Sequence, residues 1–136
     1  MSRSGYSDDY DDSVLLNLYR QAVHSAFHGS RGQHFLRKLR DALDALPVKR
    51  LITDEIRDEA GDVCALGAVD PTVDGYDADD LAKRFGIARA MAAEIVYIND
   101  EWLTDACHKS ETPEERWTRM RAWVEEQIVA DPAKER

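Results

Sequence analysis

Two cysteines, four prolines and seven glycines in 136 residues are few, and each scarcity excludes something. Cys64 and Cys107 cannot make a disulfide framework, and free thiols in a reducing compartment behave as small buried hydrophobes, so no Cys64–Cys107 bridge is expected. Proline and glycine are too sparse for a collagenous or linker-like chain. No apolar run approaches the roughly 18 residues that a membrane span needs, and Met1-Ser2-Arg3-Ser4-Gly5-Tyr6 lacks the apolar region of an export signal. No membrane partner and a cytoplasmic location are expected. Basic charge is also short: 18 Lys and Arg face 27 Asp and Glu, a net charge of −9. That excludes a uniform basic coat for nucleic acid but not a local basic patch. No repeat and no low-complexity tract is present.

What remains is one domain's worth of chain at 15.4 kDa, with 43% hydrophobic and 33% charged residues. A chain this long buries roughly two-thirds of its unfolded surface, enough for a core without metal or disulfide. Charge is uneven along it. Residues 1–12 sum to −3, residues 13–50 to +5 and residues 51–136 to −11.

Periodicity predicts an all-α fold, or a mainly α fold with one short β-hairpin around residues 50–69. The expected shape is a compact bundle of five to six helices. Residues 1–11 read as an acidic N-terminal tail, 12–130 as a single helical domain and 131–136 as a C-terminal tail. A first helix is expected from Asp12 or Ser13, with Val14, Leu15, Leu18, Ala22, Ala26 and Phe27 as its stripe, stopped by Gly29, Ser30 and Gly32 through a left-handed cap. A second follows with Phe35, Leu36, Leu39, Leu43 and Leu46 at spacings of three and four, closed by Pro47. The Gly-containing link predicts an antiparallel pair. Leu51, Ile52 and Ile56 suit one or two helical turns. The apolar run 63–69 fits either a buried helix or the second strand of a hairpin; helix is favoured because every other segment is helical. Asp77 with Asp80 reads as an acidic cap, and Gly86 as the end of a short helix. Ile87, Met91, Ile95 and Ile98 then share a face, and residues 104–111 read as a polar loop. Thr112, Pro113 and Glu115 form a complete helix start with a capping box. Trp117, Met120, Val124 and Ile128 make the stripe of that last helix.

Several constellations carry possible chemistry. Leu81 to Ile87 followed by Ala92 and Ile95 fits a helix-turn-helix, with a small residue at the helix contact and Gly at the turn. A DNA reader would need base-contacting side chains on the second helix, where only Arg89 qualifies and Glu94 would oppose phosphate. The same shape also serves plain packing. The candidate nucleic-acid residues are Arg37, Lys38, Lys83, Arg84 and Arg89. Arg37–Asp41 and Arg40–Asp44 are i,i+4 pairs that answer part of the basic charge.

Asp8, Asp9, Asp11 and Asp12, and also Asp77, Asp79 and Asp80, could imitate phosphates toward a basic partner; caps and solubilising charge are the competing reading. His24 and His28 share a helix face four apart, with His34 farther on, yet no third ligand pattern accompanies them, and no metal or cofactor is expected. Cys107-His108 are adjacent, which rarely aligns a nucleophile with its base. No enzyme is expected. Trp123 falls off the apolar stripe and is a candidate interface anchor.

Ser2-Arg3-Ser4-Gly5-Tyr6-Ser7-Asp8-Asp9, the Arg31-Gly32-Gln33 turn before Phe35-Leu36, and Ala42-Leu43-Asp44-Ala45-Leu46-Pro47 resemble a group of small accessory proteins of tailed bacteriophages and prophages. So do Val63-Cys64-Ala65-Leu66-Gly67-Ala68, Phe85-Gly86-Ile87-Ala88 and Glu111-Thr112-Pro113-Glu114-Glu115-Arg116. The resemblance spans most of the chain and carries no active site. Those proteins often have an Arg/Gly-containing insert after the Cys-Ala-Leu-Gly-Ala segment, where this chain has Asp70-Pro71-Thr72-Val73-Asp74. The resemblance implies a gene expressed inside a bacterium and a non-enzymatic inhibitor of the anti-CRISPR or other anti-defence kind, bound to a host nucleic-acid-handling complex through acidic surface. A small DNA-binding regulator and a homo-oligomeric assembly module, such as a homodimer, are the alternatives.

Overall fold

A computed structural model describes residues 13–73, 77–100 and 111–129, with side chains described from residue 21 onward. The described residues form six helices: α1 (Ser13–His28), α2 (Ser30–Ala45), α3 (Ala65–Val69), α4 (Ala78–Phe85), α5 (Arg89–Asp100) and α6 (Pro113–Gln127). No strand forms among them. The fold is all-α, as the periodicity predicts. The tails, the 104–110 loop and Cys107-His108 lie outside the described residues.

The best-read elements are those whose signals are local. Asp77 caps α4, its carboxylate accepting from the Asp80 N–H, and Gly86 ends it at φ 68°, a left-handed position that suits glycine. Thr112 and Glu115 close the capping box of α6, with Pro113 in its first turn.

The α1–α2 junction departs from expectation. Only Gly29 separates the helices, and its φ of −72° is not a left-handed cap. Gly32 and His34 lie inside α2, not in a turn. Glycine is needed at 32 for space: a Cβ there would stand 2.1 Å from the Ala26 carbonyl oxygen. The backbone of α2 meets the end of α1 at that point, and no side chain can give way.

Residues 48–64 are irregular, so neither a helix at 51–56 nor a hairpin is present. A single antiparallel bridge joins Arg57 and Val63. The Ile52 N–H donates to the Val63 carbonyl (2.9 Å) and the Cys64 N–H to that of Ile56 (3.1 Å). The favoured helical reading of the 63–69 run holds for α3. Cys64 is buried. This stretch takes its shape from partners distant in sequence. Asn99, 1% exposed, accepts from the Ala65 N–H (3.1 Å) and donates to the Ile52 carbonyl (2.9 Å). The Arg116 guanidinium donates to the Leu51 carbonyl (2.9 Å), and the Leu51 N–H to that of Pro113 (3.0 Å).

The core gathers Leu36, Leu39 and Leu43 of α2, Leu51, Leu66, Leu81, Met91, Ile95 and Ile98, with Met120 and Val124 of α6, all essentially sealed from solvent. Each such side chain contributes about 1.5–3 kcal/mol by burial. α5 is the central helix, packed against α1, α3, α4 and α6. Gln33, on α2, ties the far end of α6 down. Its amide donates to the carbonyls of Phe27 (2.7 Å) and Gln127 (2.9 Å) and accepts from the Val129 N–H (2.7 Å).

Candidate functional site: an acidic end

α2 and α6 run in opposite directions. Trp117, near the start of α6, donates to the Leu43 carbonyl (3.0 Å) near the end of α2, while Gln127 at the end of α6 meets Gln33 near the start of α2. α5 begins beside the start of α2, where Ile87, Ala88 and Met91 share a cavity wall with Gly29 and Gly32. It ends at Asn99 and Asp100, beside the irregular stretch. The molecule therefore has one end formed by the starts of α2 and α5, and another formed by residues 50–62, the end of α5 and the start of α6.

Carboxylates crowd the second end. Asp54, Glu55, Asp58, Glu59 and Asp62 occur within nine residues, against Arg57 alone. Glu114 and Glu115 open α6 beside them, exposed, and Asp100 accepts from the Asp54 N–H (3.3 Å). Asp54 itself takes a positive φ of 70°. Arg50 sits among these groups. It pairs with Asp62 at 2.8 Å, and that hydrogen bond raises its pKa, with Asp62, Glu114 and Asp58 adding to the field. Beneath this surface, Glu111 binds Arg119 through both oxygens (2.7 and 3.0 Å) and lies 3.3 Å from Arg116. Arg119 also donates to the Ile98 carbonyl (2.6 Å), closing the end of α5. The acidic surface thus rests on a tied base. This cluster was not picked out from the sequence, because its members lie in two short runs that only the 51–113 contact brings together.

The expected acidic residues fare differently. Asp77 is engaged as a cap, and Asp79 pairs with Arg89 at 2.6 Å. Asp80 is exposed in the first turn of α4. Asp8, Asp9, Asp11 and Asp12 lie outside the described residues.

The expected basic set is also rearranged. Arg89 is answered by Asp79, and Arg37 donates to the Val129 carbonyl (3.1 Å). The two i,i+4 pairs on α2 do not form. Asp44 instead accepts from two nitrogens of Arg121 on α6, Nε and Nη2 (2.8 and 3.1 Å), and Arg40 lies 3.7 Å from Glu125. The interhelix partners win because α6 lies alongside α2. Arg121 holds the Asp44 carboxyl below the usual carboxylate range, chiefly through this hydrogen bond.

α4 and α5 are consecutive helices packed against each other across the turn at Gly86, but α5 cannot present itself to a groove. Met91 to Val96, Ile98 and Asn99 are all buried, and a recognition helix needs an exposed face. Glu94 is 4% exposed and does not face outward. It lines a cavity of about 270 Å³ with Val23, His24, Phe27, Trp123 and Gln127. Trp123 is not an exposed anchor: it is half-buried, edge-on to Phe27 with ring centroids 5.5 Å apart. His24 and His28 stack at 4.0 Å, with His28 Nδ1 on the His24 carbonyl. No group of three metal-ligating side chains occurs among the described residues, and none of the described helices is long and apolar enough to cross a membrane.

Compared with models of known families, with curated proteins and with solved structures, the chain finds no match.

Proposed function

We propose that this protein is a non-enzymatic inhibitor encoded by a phage or prophage, acting inside the bacterial host. Its acidic end binds a cationic nucleic-acid channel of a host complex, in the manner of an anti-CRISPR or other anti-defence protein. The observation that carries this reading is the gathering of Asp58, Asp62 and Glu114 around Arg50 at one end of a helical bundle, with Asp54, Glu55, Glu59 and Glu115 adjoining them along the chain. Fixed carboxylates on a rigid base lose little entropy on docking and present a row of negative charge to a basic channel. The sequence resemblance to phage accessory proteins supplies the setting. Asp77, Asp79 and Asp80 lie on or beside α4, where Asp77 serves as a cap and Asp79 pairs with Arg89 at the start of α5, so this reading rests on the carboxylates of residues 54–62 and 114–115.

Direct reading of DNA by α5 is disfavoured by the burial of that helix. The test is capture from nuclease-treated bacterial lysate by the tagged full chain, at rising salt. A nucleic-acid-handling complex retained at low salt and released as salt rises supports the reading. Retention that ignores salt, or recovery only of nucleic acid lost to nuclease, refutes it.

A further inference from the structure

α1 ends in an exposed pair of imidazoles. His24 and His28 stand four positions apart at the end of the helix, both open to solvent, so they share one face. Their ring centroids are 4.0 Å apart and their planes are tilted by 36°. His28 Nδ1 lies 2.8 Å from the His24 carbonyl oxygen. A carbonyl oxygen only accepts, so Nδ1 carries the proton and Nε2 keeps its lone pair. Proteins hold a ligating imidazole in this way, one ring nitrogen donating to a backbone carbonyl while the other faces the metal. Neither ring has another hydrogen bond or an ion pair among the described residues.

We propose that His28, through Nε2, and His24, through a ring nitrogen, form a two-nitrogen chelate for a late first-row divalent metal ion of the nickel, copper or zinc class. A metal about 2.0–2.1 Å from each of two imidazole nitrogens at neighbouring coordination positions holds those nitrogens about 3 Å apart. Rings centred 4.0 Å apart reach that separation by a small swing of His24, whose ring no hydrogen bond holds, about its soft outer torsion. The rings are already gathered, so binding orders little. The C-terminal end of a helix also carries partial negative charge, which favours a bound cation. Imidazole nitrogen selects this class of metal, whereas magnesium and calcium take oxygen ligands. No set of three ligating side chains occurs among the described residues, so water completes the coordination and the ion exchanges freely. The chelate is independent of the acidic end and of the function proposed for it, and either can fail alone.

The test is calorimetric titration of the untagged full chain with nickel chloride at pH 7.5, repeated with zinc chloride and magnesium chloride. Loss of an outer partner alone costs a metal site about 10–100-fold in affinity, so loss of a ligand in His24→Ala or His28→Ala should weaken nickel binding at least tenfold. His34→Ala removes an exposed histidine of α2 and should leave it unchanged, and magnesium should give no binding. Nickel should also raise the melting temperature of wild type and not that of either chelate variant; melts in chelator confirm that every variant folds. Absence of nickel and zinc binding at 1 mM metal overturns the proposal. So does full nickel affinity in folded His24→Ala or His28→Ala, or an equal loss in His34→Ala or His108→Ala.

Discussion

Replacing Gly32 by alanine puts a methyl carbon 2.1 Å from the Ala26 carbonyl oxygen and 3.1 Å from that of Phe27. Ordinary contact begins near 3.4 Å, so α1 and α2 must part by more than 1 Å or the methyl must push through backbone. Both helices feed one core, in which Val23 and Phe27 pack with Phe35, Leu36 and Leu39, and close packing there makes separation costly. Overpacking of this kind costs about 1–3 kcal/mol or more, and the better helix propensity of alanine returns at most about 1 kcal/mol. A net loss of about 2 kcal/mol is expected, which lowers the melting temperature of a domain this size by roughly 6–10 °C. Gly29 provides the internal control. A Cβ there meets its nearest atoms at 3.7 and 3.8 Å, and its φ of −72° suits any residue, so Gly29→Ala should change stability by less than about 0.5 kcal/mol. Urea and thermal unfolding of both variants decide the matter. A Gly32→Ala variant as stable as the parent, or a Gly29→Ala variant equally damaged, would refute the claim that the junction is set by close approach.

Gln33→Ala removes three hydrogen bonds that join the end of α1, α2 and the end of α6. A loss of about 2–3 kcal/mol is expected, with amide exchange rising first at residues 124–129. Unchanged exchange there would show that α6 is held by its apolar stripe alone. The Asp44–Arg121 pair should add under about 1 kcal/mol, because both side chains are partly exposed. Asp44 has its pKa lowered in the fold, so this contribution is present above the unfolded carboxylate value, about 4, and fades as pH falls through the folded value. Comparing urea midpoints of wild type and Asp44→Asn should show a gap at pH 7 that closes by pH 2.5; a gap that persists in acid would assign the difference to something other than the ion pair.

Helix ends were legible because their signals lie within three residues: Asp77 with Asp80, Gly86, and Thr112 with Glu115. The leucine stripe of α2 was legible for the same reason, since periodicity reports a face directly. Gly32 was misread because a glycine required for close approach looks, in sequence, like one required for a turn. Residues 51–63 were illegible because Asn99, Arg116 and Pro113 shape them from up to 65 positions away. α5 carried a usable signal. Its run Ala90-Met91-Ala92-Ala93 with Ile95, Val96 and Ile98 is apolar nearly all round, the mark of a buried helix and not of a groove reader. The acidic end was the least legible feature. Charge summed by segment gave the imbalance between residues 13–50 and 51–136, but only the contact of residue 51 with residues 113 and 116 brings the carboxylates of residues 54–62 beside those that open α6.

The acidic end is most directly tested by reversing it. Glu55→Lys, Glu59→Lys and Glu114→Lys alter exposed side chains outside the core, and only Glu114, in the first turn of α6 but not a member of its capping box, lies at a helix end, so the fold should survive, as circular dichroism would confirm. Quantified capture from nuclease-treated bacterial lysate should then fall at least tenfold for the triple variant relative to wild type, with Arg57→Gln retaining full capture. Equal capture by the folded triple variant would contradict the account.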